Sequence, residues 1–87
     1  MKVLIFYKPV SELASSVESY VREFERQTGR KLELIDIESK DGITKAGLYD
    51  IVQQPAIVAL QDDGSLVNTW LERDKWPTIS ELSAYTQ

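Results

Sequence analysis

Val3-Leu4-Ile5-Phe6-Tyr7 is an unbroken apolar run of strong β-formers. A strand covered on both faces has such a run, whereas a half-buried strand alternates. Lys8-Pro9 ends it. The period then changes. Leu13, Val17, Tyr20, Val21 and Phe24 recur at helical spacing, and Glu18, Arg22, Glu23, Glu25 and Arg26 take the opposite face. Ser11 stands where an N-cap belongs, Glu12 suits the positive end of the helix dipole, and Gly29 fits the residue just past a helix end. Leu32, Leu34 and Ile35-Asp36-Ile37 read as a second strand, parallel to the first because a helix separates the two.

The polar connection Glu38-Ser39-Lys40-Asp41-Gly42 leads into a short helix over Ile43–Tyr49, capped near Asp41 or Thr44. Ile43, Ala46, Leu48 and Tyr49 are expected to be partly buried, and Gly47 costs that helix roughly 1 kcal/mol of propensity. Pro55 to Gln61 and Leu66 to Leu71 are strands, and the Asp62-Asp63-Gly64-Ser65 turn between them is a hairpin signal. Proline at the head of a strand cannot join the ladder, and its place after a loop is one that a cis peptide suits. In the last strand Leu66, Asn68 and Trp70 share one face, and Val67, Thr69 and Leu71 the other. Glu72 to Trp76 is a charged loop, with Trp76 either exposed and adhesive or folded back over the sheet edge. Thr78-Ile79-Ser80-Glu81 has capping-box spacing before a closing helix with Ile79, Leu82 and Tyr85 on its apolar side. The order is β-α-β-α-β-β-α. It predicts one α/β domain over residues 1–87, a four-stranded mixed sheet with helices on both faces.

Composition narrows the chemistry. The chain has 87 residues, neither cysteine nor histidine, and a net charge of −4. Thiol chemistry and thiolate metal sites are excluded, and the commonest acid–base residue near neutral pH is missing. The ten basic residues form no run, which argues against a nucleic-acid partner. The apolar start is too short for a signal-peptide core or a membrane span, so the expected location is the cytoplasm, with no membrane contact. Asp62-Asp63 and the trio Asp36, Glu38 and Asp41 read as a turn and a solvated connection rather than cation sites.

Two local runs resemble a known superfamily. Tyr49-Asp50-Ile51-Val52-Gln53-Gln54-Pro55-Ala56 looks like the thioredoxin run that leads into its cis-proline. Tyr7-Lys8-Pro9-Val10-Ser11-Glu12-Leu13-Ala14 looks like the glutaredoxin run in which Lys-Pro-x-Cys-x-x-Cys follows a strand. By this resemblance the chain is a thioredoxin-like, glutaredoxin-like domain with Ser11 in place of the nucleophilic cysteine and Ala14 in place of the resolving one. Disulfide exchange needs an attacking thiolate and a resolving thiol, so no such activity is expected. No catalytic or metal-binding residue is assigned. The resemblance implies a binding face made of Lys8, Pro9, Ser11, Gln54 and Pro55. Lys8 matches a lysine that holds a glutathione carboxylate in glutaredoxins, or is simply a solvated strand-end lysine. Leu71-Glu72-Arg73-Asp74-Lys75-Trp76 lacks the glycine pair that receives the other end of glutathione. In active relatives the residue before the proline offers its backbone to an extended peptide, a service that needs no cysteine. The expectation is therefore a peptide-, protein- or small-ligand-binding module, monomeric or weakly dimeric. Its rivals are a glutathione-binding or transferase-like activity steadied by Ser11, and a structural protein that self-associates through Leu66–Leu71 or Trp76.

Overall fold

The computed structural model describes residues 1–86. Four strands form one sheet in the order β2-β1-β3-β4: β1 (Lys2–Tyr7), β2 (Glu33–Asp36), β3 (Ala56–Leu60) and β4 (Leu66–Trp70). β1 runs parallel to β2 and antiparallel to β3, and β4 is antiparallel to β3. Three helices complete the chain: α1 (Ala14–Thr28), α2 (Lys40–Leu48) and α3 (Ile79–Ser83), with 3₁₀ turns at Arg73–Lys75 and Ala84–Thr86. A mixed sheet with helices on both faces is the architecture that the apolar pattern predicts.

The unbroken runs go to the two central strands because only those are covered on both sides. Val3 and Ile5 of β1, with Ile57 and Ala59 of β3, pack on one face against Val17 and Phe24 of α1 and Leu82 of α3. Leu4, Phe6, Val58 and Leu60 point the other way and pack with Ile35, Ala46, Tyr49 and Ile51 on the α2 side. No polar side chain is buried with them among the described residues. No helix there is long and apolar enough to cross a membrane.

Both termini of α1 and α2 follow from local chemistry, and two starts differ from the sequence expectation. α1 ends as expected: Gly29 adopts φ 72° and its N–H donates to the Glu25 carbonyl at 2.9 Å. Its start is later, at Ala14, with Leu13 in the cap position and no side-chain cap. Leu13 therefore falls outside the buried stripe and is exposed. α2 starts earlier than expected and is capped by Ser39, not Asp41 or Thr44. Ser39 Oγ accepts from Gly42 N at 2.9 Å while donating to the Asp36 carbonyl at 2.7 Å. The chain doubles back so tightly here that a Cβ on Gly42 would lie 1.9 Å from Asp36 O. Asp36 and Asp41 are spent locally, Asp36 Oδ1 on the Glu38 N–H and Asp41 on Lys45. Among the described residues no group of three or more such side chains could hold a metal.

The hairpin turn has Gly64 at φ 89° and Asp63 Oδ1 accepting from both N–H and Oγ of Ser65. The simple alternation expected in β4 fails. Ala59 pairs with Asn68 but Leu60 with Leu66, so Val67 is the extra residue of a bulge and the faces swap there. Beyond β4 the charged loop is ordered, and Trp76 folds back. Its ring meets Tyr20 edge-on at 5.1 Å, and the Arg73 guanidinium lies 4.7 Å from the Trp76 centroid and 5.4 Å from that of Tyr20. Thr78 then caps α3 through the Glu81 N–H at 3.1 Å.

Candidate functional site

The topology gathers four connections at one end of the sheet. β1 and β2 finish there, β3 begins there, and β4, parallel to β1, finishes there too. In open α/β sheets the crevice beyond the carboxyl ends of parallel strands, where the chain reverses its winding, is the usual ligand site. The last β1–β3 pair is Phe6 with Ala56. The turn at Lys8 and the loop at Gln54-Pro55 therefore leave adjacent strands side by side.

The Lys8 side of this end is a tight turn. Ser11 N and Ser11 Oγ both donate to the Lys8 carbonyl, at 3.0 and 2.8 Å. Pro9 sits where its fixed φ favours such a turn. This corrects the reading of Ser11 as an N-cap. Its hydroxyl proton is committed backwards to Lys8, and Ala14 N donates to the Ser11 carbonyl at 3.2 Å before the helix proper begins. Ser11 is thus a turn residue ahead of α1, and Ala14, the first helical residue, is buried. Lys8 is half-buried and forms no ion pair among the described residues, while Val10 at the tip is 83% exposed. Tyr7, beneath the turn, has its phenol pKa raised, first by burial and then by the carboxylates of Glu18 and Asp36. The chain has no histidine, and the Ser11 hydroxyl donates to the Lys8 carbonyl rather than to a base.

The proline side is more open. The Gln54–Pro55 peptide is cis. Pro55 is buried, Gln54 half-buried and Gln53 exposed. The backbone N–H and C=O groups of Gln53 and Gln54 have no hydrogen-bond partner among the described residues. Asp50 holds the approach to this loop with φ 54°, where Ile51 N donates to Ala46 O at 2.8 Å and closes the end of α2. Gln54 Oε1 is buried and also lacks a partner among these residues.

Beside the loop lies a hollow of about 290 Å³, lined by Ile37, Ile43, Ala46, Gly47, Ile51 and Val52 together with Gln53 and Gln54. The structure thus brings Lys8, Pro9 and Ser11 into one turn and Gln54 and Pro55 into the neighbouring loop. Concave surface flanks this loop on both sides, the α2 hollow and another of about 370 Å³ lined by Gln53, Thr69, Trp70, Leu71, Glu72 and Lys75, and neither is lined by the Lys8 turn. Ile43 and Leu48, expected to be partly buried, are 61% and 70% exposed. The apolar residues around the hollow have the same composition as core residues, so their pattern alone did not mark them as surface. The one sequence signal was Gly47, a helix-weakening residue that nothing in the pattern required.

A scan against protein-family profiles and a search of curated proteins return no match. Solved structures do match. Thioredoxin 1 from the thermophilic eubacterium Thermosipho africanus superposes with a TM-score of 0.68 over 99% of this chain and 90% of its own, at 13% identity. Thioredoxin-2, a component of the malaria parasite's protein secretion machinery, gives 0.69 over 97% of this chain and 78% of its own, at 14% identity. A malarial protein gives 0.66 at 13% identity, with 97% and 90% covered. At such identity the likeness speaks for the fold alone. The chain has a thioredoxin-like fold, and its sequence, which has no cysteine, lacks the Cys-x-x-Cys centre.

Proposed function

We propose that this domain is a binding module that takes an extended peptide at the Gln53-Gln54-Pro55 loop by strand addition. The observation that carries the reading is the pair of unpartnered main-chain units at Gln53 and Gln54, at the proline end of the sheet. A free run of N–H and C=O groups beside a strand is what an added strand pairs with, and main-chain bonds supply the affinity in that mode. Lys8, Pro9 and Ser11 form the neighbouring bank, with the exposed Val10 at its tip. Nothing in this mode needs a thiol, a base or a metal.

A random heptapeptide library displayed on phage supplies the probe. Selected peptides are resynthesised with single backbone N-methyl groups, which remove one N–H and leave the side chains. Strand addition predicts that methylation at one or two central positions weakens binding by about tenfold, the worth of one hydrogen bond. A library that yields no binder, or binders indifferent to methylation at every position, contradicts the reading. A parallel titration with glutathione tests the small-ligand rival: saturable binding centred on Lys8 and Ser11 would favour it.

A further inference from the structure

Gly47 breaks a local rule without local cause. It lies inside α2 in ordinary helical conformation, and a Cβ placed there would meet nothing within 4 Å. Alanine would fit and would favour the helix by roughly 1 kcal/mol. Gly42 in the same helix is different, because Asp36 O leaves no room for a Cβ there. What Gly47 does is keep the wall of the hollow beside Gln54 bare. Local rules are broken most often where function asks for it.

The hollow has a definite chemistry. Its floor is Ile37, Ala46 and Ile51, and its rim holds Ile43 and Val52, the latter 88% exposed. No charged side chain lines it. At about 290 Å³ it falls just below the range of roughly 300 to 1,000 Å³ that drug-sized ligands occupy, and it suits one large side chain instead. Its remaining wall is the Gln53-Gln54 segment, whose main chain is unpartnered. Side chains of an added strand alternate in direction, so every second one points at whatever flanks the pairing backbone.

We infer that this hollow is the specificity pocket of the peptide-binding end: it takes one large, uncharged apolar side chain, branched aliphatic or aromatic, from the added strand, and Gly47 leaves room for it. The inference rests on the strand-addition reading and narrows it to a class of peptide. The peptides selected from the phage library test it. They should share one apolar residue at a fixed place, and replacing it with alanine should weaken binding by about tenfold or more. Gly47→Leu should weaken the same peptides by a similar factor, and in that variant the alanine replacement should cost little further, because the two changes remove one contact. Gly47→Ala should raise the thermal unfolding midpoint while lowering affinity, which separates pocket filling from misfolding if Gly47→Leu proves unstable. Binders that are sensitive to backbone methylation, share no apolar residue and bind Gly47→Ala and Gly47→Leu as tightly as the native protein would overturn the pocket and leave strand addition standing. Binders insensitive to backbone methylation would overturn both.

Discussion

Tyr20 ties three parts of the chain together. It projects from α1, donates its hydroxyl to the Pro77 carbonyl at 2.9 Å, and lies under both Trp76 and the Arg73 guanidinium. Arg73 in turn donates Nε to Ser16 Oγ at 3.0 Å. Burial pushes the phenol pKa up to about 12, with Glu81 adding to the rise and Arg73 opposing it. A raised folded-state pKa means that folding favours the protonated form. Its contribution is whole below the unfolded value of 10.0 and is lost as pH climbs through about 12. Of four tyrosines, Tyr20 should therefore titrate late, together with loss of structure. Tyrosinate absorbance against pH reads this, and Tyr20→Phe should abolish the late step. A late step that persists unchanged in Tyr20→Phe would refute the assignment. Residue chemistry of this kind was hard to foresee. For Trp76 only the small size of the domain favoured cover over exposure, because its cover comes from Tyr20, more than fifty positions earlier in the chain.

Gly42 decides how β2 and α2 join. The Asp36 carbonyl accepts from both Ser39 N and Ser39 Oγ, at 3.1 and 2.7 Å, and Gly42 passes directly over it. Gly42→Ala should cost about 3 kcal/mol, since the clash is with backbone that cannot step aside. Urea unfolding measures it, and a loss below about 0.5 kcal/mol would show that the junction relaxes freely. At this scale the sequence was legible in order and type but not at boundaries. Continuous apolar runs demanded cover on both sides, so β1 and β3 and their flanking helices followed. Helix starts did not, because several capping residues compete within a few positions. Ser39 wins over Asp41 and Thr44 through the Asp36 carbonyl. Ser11 loses because Pro9 closes a turn that points its hydroxyl back at Lys8. The hollow stayed hidden because Ile43, Ile51 and Val52 carry the same signal whether they face core or solvent.

As a whole the molecule offers partners free backbone at the proline loop and at the outer edges of β2 and β4. The β4 edge is blunted. Val67 bulges, and Asn68 Oδ1 accepts the Thr69 N–H at 2.8 Å, so that group is not offered to another strand. Asn68→Val should unmask an edge already flanked by exposed Leu66, Val67 and Leu71. Sedimentation over a concentration series should then show more self-association than the native chain shows under the same conditions. A native dimer that dissociates when β4 is altered would reverse this account and favour the structural-protein rival. What the fold supplied at this scale was the end at which to look. The order of elements along the chain and the proline were readable in the sequence, whereas the order of strands in the sheet and the split of that end into a closed Lys8 turn and an open Gln53-Gln54 loop were not.

The most direct test of peptide capture at the proline loop is the amide ¹H–¹⁵N spectrum of the labelled domain, titrated with a selected peptide. Peptide capture there should give the largest shifts at Gln53, Gln54 and Ala56, with slowed hydrogen exchange at Gln53 and Gln54, and smaller shifts at Ile43 and Gly47. Shifts concentrated on Val67 to Leu71, with Gln53 and Gln54 unmoved, would contradict it.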